Sequence, residues 1–250
     1  MSRAPVEVSV VIPAFEEEAR IRAAIAETAG YFDGRGESFE IIVADDGSSD
    51  GTAGAVRRAA EEQPFVELVS PGVHRGKGAA VRAGLSKAMG ARVLVVDADL
   101  AIPLSEYPAF DEALSAGADV AIASKELGRR AGRVRQSLLR RAMGRAFNLA
   151  VRALVLPGIC DTQAGFKLFR GTAARLLAGL SRVDGFAYDV ELLALARIEG
   201  MKIAELPVAC TTSGPTSVRV FADSHRMFID LLGIRRRLGR PRPAKEGRRA

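Results

Sequence analysis

Short apolar runs alternate with amphipathic stretches through the first half of the chain, and most of the runs end in a polar or acidic turn. Val6 to Ile12, Phe39 to Ala44, Phe65 to Ser70, Arg92 to Val96 and Ala118 to Ala123 have the length and β-branched content of strands. Between them, Glu17 to Tyr31, Thr52 to Glu62, Gly76 to Met89 and Leu104 to Ser115 carry helical periodicity. Strand, helix and strand in that order need crossover connections, which make the strands parallel and lay helices on both faces of a twisted sheet. Beyond Ala123 the pattern is less regular, with no internal repeat and no clear linker. A chain of 250 residues, 48% of them hydrophobic, can bury one substantial core. The expectation is a single α/β domain over residues 1–238, with a first half of about 6–125, a second half of about 126–238 and a basic, disordered tail at 239–250.

No apolar segment reaches the roughly 20 residues that a membrane span needs, since Asn148 and Arg152 interrupt the stretch from Ala146 to Leu156. Residues 1 to 5 lack the apolar core of a secretory signal, and Cys160 and Cys210 are too few for a disulfide framework or a zinc cage. A reducing cytoplasm is the expected compartment. The net charge of +6 is unevenly spread. No acid occurs between Glu126 and Asp161, whereas Arg129, Arg130, Arg133, Arg135, Arg140, Arg141, Arg145 and Arg152 accumulate there. A helix from Leu138 to Leu154 would be basic and amphipathic, and with the arginine-rich tail it suits an anionic membrane surface on the cytoplasmic side. An ordinary surface helix packed on the sheet satisfies the same periodicity. Nucleic acid is a poor partner, because three tyrosines and no tryptophan offer few stacking surfaces.

The acids lie where strands end. Arg92-Val93-Leu94-Val95-Val96 is followed by Asp97-Ala98-Asp99, two carboxylates one residue apart at the carboxyl edge of a buried strand. In an open parallel sheet that edge forms the binding crevice, and two acids there suit a hard divalent cation already carrying phosphate oxygens. Three further loops leave the same edge: Pro13-Ala14-Phe15-Glu16-Glu17-Glu18, where Pro13 is expected to stop the strand; Asp45-Asp46-Gly47-Ser48-Ser49-Asp50-Gly51-Thr52; and His74-Arg75-Gly76-Lys77-Gly78 before a helix amino end. Simpler assignments fail. The calcium-like Asp46-x-Ser48-x-Asp50-Gly51 has Arg57 at its twelfth position, where a bidentate Glu is required. Gly76-Lys77 lacks the spacing and the Ser or Thr of a phosphate loop, and no strand is followed by Gly-x-Gly-x-x-Gly.

Together, Val11-Ile12-Pro13-Ala14-Phe15-Glu16-Glu17-Glu18, the Asp45 to Thr52 loop, Gly76-Lys77-Gly78 and Asp97-Ala98-Asp99 resemble the family 2 glycosyltransferases of GT-A fold. Asp161-Thr162-Gln163-Ala164-Gly165-Phe166-Lys167-Leu168-Phe169 and Gly185-Phe186-Ala187-Tyr188-Asp189-Val190-Glu191-Leu192-Leu193 look most like the polyprenyl-phosphate sugar synthases, the dolichyl-phosphate glucosyltransferases above all. The likeness runs from about Val8 to Ile234.

That resemblance implies an inverting, metal-dependent transfer of a hexose from a nucleoside diphosphate sugar, UDP-glucose before GDP-mannose, to a polyprenyl phosphate. By position, Pro13, Ala14, Phe15 and Glu17 would border the nucleoside and Asp46 would read the base edge. Asp97, Ala98 and Asp99 would serve the ribose and a Mg2+ or Mn2+ ion, Asp99 being the better ligand. Lys77 and Lys125 would face phosphate or sugar. Asp161 holds the position usually taken as catalytic or sugar-contacting, with Gln163 beside it. A lipid phosphate is already an ionised nucleophile, so it needs arginines to hold it more than a base to activate it; Arg129, Arg133, Arg141 and Arg219 are the candidates. An alcohol acceptor would instead need a carboxylate base, from Asp161, Asp189 or Glu191. Three departures stand out: Glu16 replaces the usual Asn, His74 stands where Asn is frequent, and Ser217 takes the place of a phosphate-binding Lys. A soluble acceptor therefore stays open, as does a non-catalytic module that binds nucleotide sugar or anionic membrane.

Overall fold

The computed structural model describes residues 5–134, 147–210 and 220–239. Among them seven strands form one sheet in the order β3-β2-β1-β4-β6-β5-β7: β1 Val8–Ala14, β2 Phe39–Asp45, β3 Val66–Val69, β4 Arg92–Val96, β5 Val120–Ser124, β6 Phe166–Arg170 and β7 Ile203–Pro207. The helices are α1 Glu18–Arg35, α2 Thr52–Glu62, α3 Lys77–Lys87, α4 Tyr107–Ser115 after a 3-10 turn at Leu104–Glu106, and α5 Lys125–Arg130. Residues 147–154 are helical and form α6. They are followed by α7 Gly171–Leu180, α8 Tyr188–Ile198 and α9 Val220–Leu238. The alternation read from the sequence holds through β5, with α2 and β4 at their expected bounds.

Strand alternation divides the core into two layers. Val8, Val10 and Ile12 of β1 are buried against Ile21, Ile25 and Phe32 of α1, Val56 of α2, and Tyr107 and Phe110 of α4. Val11, Ile42, Val93 and Val95 belong to the opposite layer with Val81 and Leu85 of α3, Val151 and Val155, Leu177 of α7, Val190 and Leu193 of α8, and Leu231 and Ile234 of α9.

Two local outcomes differ from the expectations. Pro13 does not stop β1; it lies inside the strand, opposite Ala44 of β2. The last β1–β4 pair is Val11 with Val95, so Pro13 has a strand neighbour on one side only, where a missing N–H is tolerated. The second concerns β6, which is antiparallel to both β4 and β5. Its amino end thereby lies at the carboxyl edge of the parallel strands, and residues 160–165 are delivered to the crevice. Of the basic helix expected from Leu138 to Leu154, the described part packs Val151 into the core and leaves Leu149 exposed. The rest of that helix, the Ser217 position and the tail from residue 240 lie outside the described residues. No helix among the described residues is long and apolar enough to cross a membrane.

At the opposite, amino edge of the sheet, buried Ser9 ties three segments together. Its hydroxyl donates to Glu40 Oε1 (2.5 Å) and accepts from the Gly90 N–H (2.7 Å), while Glu40 Oε1 also accepts from Met89 N (2.8 Å). Ser9→Ala strands a buried donor and part of a buried carboxylate, a loss of about 1–3 kcal/mol. Urea unfolding is expected to show that loss with an unchanged m-value; a midpoint equal to the parent's would overturn the account.

Candidate functional site

The loops after β1 and β2 are fastened to each other before they reach any ligand. Glu16 N donates to Ser48 Oγ (2.9 Å), Glu17 N to Thr52 Oγ1 (2.9 Å) and Glu18 N to Asp50 Oδ2 (3.1 Å). In return, Ser49 N and Ser49 Oγ donate to Glu16 Oε1 (2.7 and 2.8 Å), and Gly51 N to Glu18 Oε2 (3.0 Å). Glu16 holds φ 56°, a left-handed conformation that costs most residues energy and that Asn adopts more readily. Its carboxylate bonds to Ser49 help offset that strain.

Buried Asp46, expected to read a base edge, is engaged with the next loop. Oδ1 accepts from Arg75 N (2.9 Å), and Oδ2 accepts from Gly76 N (2.7 Å) and lies 2.8 Å from His74 Nδ1. Asp46 is itself placed by its own N–H, which donates to the Ala14 carbonyl (2.9 Å) at the end of β1. Above it, the exposed Phe15 ring lies against the His74 ring with centroids 4.1 Å apart. Gly76 sits at φ 125° at the start of α3, where a Cβ would overlap the Asp184 carbonyl. Only glycine lets the 183–185 loop close on that helix end.

Lys77, the first residue of α3, reaches Asp97 with Nζ 2.5 Å from Oδ1. Burial disfavours the charged form of each, yet the Lys77 pKa is raised by Asp97, Asp189 and Asp99, and the Asp97 pKa is lowered by Lys77, Lys125 and Lys167. Both groups are held ionised. Beneath them Lys167 and Asp189, both buried, pair at 2.6 Å, and Lys167 Nζ also donates to the Ala164 carbonyl (2.7 Å). Burial pushes the Asp189 pKa up despite the two lysines beside it.

Asp97, Asp99, Leu100, Ala101, Ile102, Lys125 and Gly165 line one small, open cleft. Gly165 is required there, because a Cβ would overlap the Asp97 carboxylate. Asp99 is exposed, and among the described residues its carboxylate accepts the Ala101 N–H at 3.1 Å. Ala98 between the two acids is buried. Glu17 faces the same acids: burial raises its pKa, Arg20 opposes that, and repulsion from Asp99, Asp97 and Asp50 adds to it.

Asp161 is buried, with both oxygens occupied by backbone. Oδ2 accepts from Lys125 N (3.0 Å) and Oδ1 from Gln163 N (3.1 Å), while its own N–H donates to Glu205 Oε1 (2.8 Å). In this geometry Asp161 braces the residue that carries a cation into the cleft. Asp189 and Glu191, the other candidate bases, are also committed: Glu191 is fully buried, accepts from Arg182 N (2.9 Å) and Val183 N (2.7 Å), and pairs with Arg237.

The arginines expected to hold an acceptor phosphate are largely engaged. Arg129 pairs with Glu126, and Arg133 pairs with Glu106 and donates to the Pro207 carbonyl (2.9 Å). Absence of acids along the sequence did not mean absence of acids in space. Arg141 and Arg219 lie outside the described residues. Sequence reasoning assigned no role to Glu205, Lys167 or Gly165. A lone Lys inside the apolar run Phe166–Phe169 does signal a buried partner; Glu205, in a strand remote along the chain, carried no such signal.

The cleft thus combines an exposed carboxylate, a half-buried ion pair and a second lysine at the carboxyl edge of a parallel sheet, the place where nucleotide-binding α/β proteins carry out their chemistry. Comparisons with known proteins agree. A dolichyl-phosphate beta-glucosyltransferase from Trichomonas vaginalis is 33% identical over 243 residues, covering 93% of this chain and 72% of that protein. One from Homo sapiens is 32% identical over 247 residues, covering 92% and 75%. Glucosyl-3-phosphoglycerate synthase from Mycobacterium tuberculosis in complex with phosphoglyceric acid is similar in structure, with TM-score 0.69 at 22% identity over 96% of this chain and 82% of that one. The same protein with Mn2+ and uridine-diphosphate-glucose gives 0.66 at 21%, over 96% and 81%. These two establish the fold, which is GT-A. The family model for glycosyl transferase family 2 matches residues 9–175, and the chain belongs to that family as one of its glycosyltransferases.

Proposed function

We propose that this glycosyltransferase moves a glucosyl unit, with inversion, from UDP-glucose to a polyprenyl phosphate. The observation that carries the reading is one cleft lined by Asp97, Asp99 and Lys125, with Lys77 paired to Asp97. The acceptor class and the preference for glucose over the mannose of GDP-mannose come from relatives called dolichyl-phosphate beta-glucosyltransferases, which are similar over more than nine tenths of the chain.

A divalent cation fits the donor set. Among the described residues no three His, Cys, Asp or Glu side chains form a complete cage, as expected for an ion that takes one or two carboxylates and fills its shell with diphosphate oxygens and water. With Asp97 held by Lys77, the ligand role passes to exposed Asp99, and Mg2+ or Mn2+ there would neutralise charge on the departing diphosphate. The protein supplies the rest. Lys125, and Lys77 through the local field it shares with Asp97, favour the diphosphate as negative charge develops. Phe15 and His74 present an aromatic wall at the mouth for the nucleoside, with Pro13, Ala14 and Asp46 behind it fixing the loop. Gln163 joins the brace through its backbone.

A phosphate acceptor attacks without giving up a proton, which agrees with the occupied oxygens of Asp161. Its role is then to hold Lys125 in place.

Metal-dependent release of nucleoside diphosphate, measured with UDP-glucose, UDP-galactose, GDP-mannose and UDP-N-acetylglucosamine with and without a short polyprenyl phosphate, tests the assignment. Release from UDP-glucose only when the lipid phosphate and Mn2+ or Mg2+ are both present is the expected result. Donor binding without lipid-stimulated release would move the acceptor to a soluble molecule, and no turnover with any acceptor would leave a binding module.

Asp99→Ala is expected to lower kcat at least 100-fold, as loss of transition-state charge stabilisation does, with an unchanged melting temperature. Near-normal turnover at saturating metal would remove Asp99 from the ligand set. Asp161→Asn keeps one acceptor oxygen, so a loss of no more than about tenfold with an unshifted pH profile is expected. A loss of about 100-fold or more together with disappearance of the basic limb would identify a general base instead and favour an alcohol acceptor.

A further inference from the structure

Helix α9 carries three large apolar side chains that the other described residues leave half uncovered: Phe228, Ile229 and Leu232 are 46%, 54% and 47% exposed. At 3.6 residues per turn they share an arc of about 100°, on the side of the helix away from Leu231 and Ile234, which are buried in the core. Arg236, one turn beyond Leu232, is exposed on the same side, whereas Arg235 is only partly exposed and turns a guanidinium nitrogen inward. From Gly239 to residue 250 the sequence adds five more basic residues against Glu246 alone. An apolar stripe that runs into arginines matches the chemistry of a bilayer surface with anionic headgroups, where the stripe enters the acyl boundary and the cations meet phosphate. A protein partner would have to supply both an apolar groove and acids in one line.

The helix is also fixed relative to the cleft. Arg237 pairs with Glu191, which accepts from Arg182 N and Val183 N, and a Cβ on Gly185 would lie 3.2 Å from Asp230. The loop clamped this way reaches the site at its other end, where the Asp184 carbonyl accepts the Gly78 N–H (2.7 Å) beside Lys77. One braced loop therefore separates α9 from the cation at the cleft.

We infer that the outer face of α9, through Phe228, Ile229 and Leu232 with Arg236, docks this chain on an anionic lipid surface. This rests on the polyprenyl-phosphate reading for its purpose but not for its test, which needs no sugar transfer.

The chain contains no tryptophan, so Leu232→Trp introduces a single reporter. Its emission is expected to shift to the blue on addition of phosphatidylglycerol-containing vesicles and to stay put with pure phosphatidylcholine. Met89→Trp, at an exposed position on the opposite edge of the sheet, should not respond. In co-sedimentation of the full chain, Phe228→Ser, Ile229→Ser and Leu232→Ser together should reduce recovery with the anionic vesicles at least tenfold, with unchanged circular dichroism. Parental recovery of that triple variant, or emission from the Leu232→Trp variant that is indifferent to vesicles, would overturn the inference. A chain that passes these tests yet glucosylates no polyprenyl phosphate would refute the proposed acceptor and leave the docking face standing.

Discussion

The reversed direction of β6 is the constraint on which the site depends. A sheet of parallel strands alone would leave residues 160–165 at the far edge, because a crossover returns the chain to the amino end before the next strand begins. Inserting β6 antiparallel between β4 and β5 puts its amino end beside the carboxyl end of β4. Gly165 then abuts Asp97, Asp97 N donates to the Gly165 carbonyl (3.2 Å), and Asp161 reaches the backbone of Lys125 at the end of β5. The price is a lysine, Lys167, enclosed in the sheet, and its charge is met by Asp189.

That second pair helps to keep Lys77 and Asp97 ionised. Isolated buried charges would neutralise, since desolvation alone costs several kcal/mol per ion. Here Asp97, Lys77, Asp189 and Lys167 form a compact set of alternating sign in which the desolvation penalties of Lys77 and Asp97 are each opposed by at least two partners, while burial still pushes the Asp189 pKa up. The arrangement is balanced rather than strongly stabilising, and removing any one member leaves its neighbour unpaired in low dielectric. Asp99 stands just outside the set, exposed and with a lightly engaged carboxylate, which is the condition for binding an ion that comes and goes with a substrate.

The remaining carboxylates show how far the protein uses acids as braces. Glu16, Glu18 and Asp50 join the first two loops, Asp46 holds the third, Glu205 and Asp161 hold the fourth, and Glu191 clamps the loop under α9. Loops rich in backbone N–H groups need acceptors wherever water is excluded, and an ionised carboxylate takes two or more. A motif rich in acids is thus mostly scaffold, with a small reactive remainder.

The sequence by itself determined the alternating elements, because periodicity of two or of about 3.6 follows from which face of each element is dry. It also located the edge at which the loops converge, since acids can follow a buried apolar run only where the strand emerges. Asp97 and Asp99 are placed at that edge for that reason, whereas only the family resemblance points to Lys125. What depended on tertiary structure was everything set by partners distant along the chain. Pro13 lies within β1 because β4 has already diverged, and Asp46 holds a loop well beyond its own in the sequence. Arg133 meets Glu106 although the stretch in which it lies has no acids of its own. Asp161 became a brace once β6 ran backwards and β7 supplied Glu205. Local pattern reports the solvent on each face; the identity of a charge's partner is decided by topology, because an ion pair depends on separation in space and the chain leaves no local mark of which distant segment will bring the opposite charge.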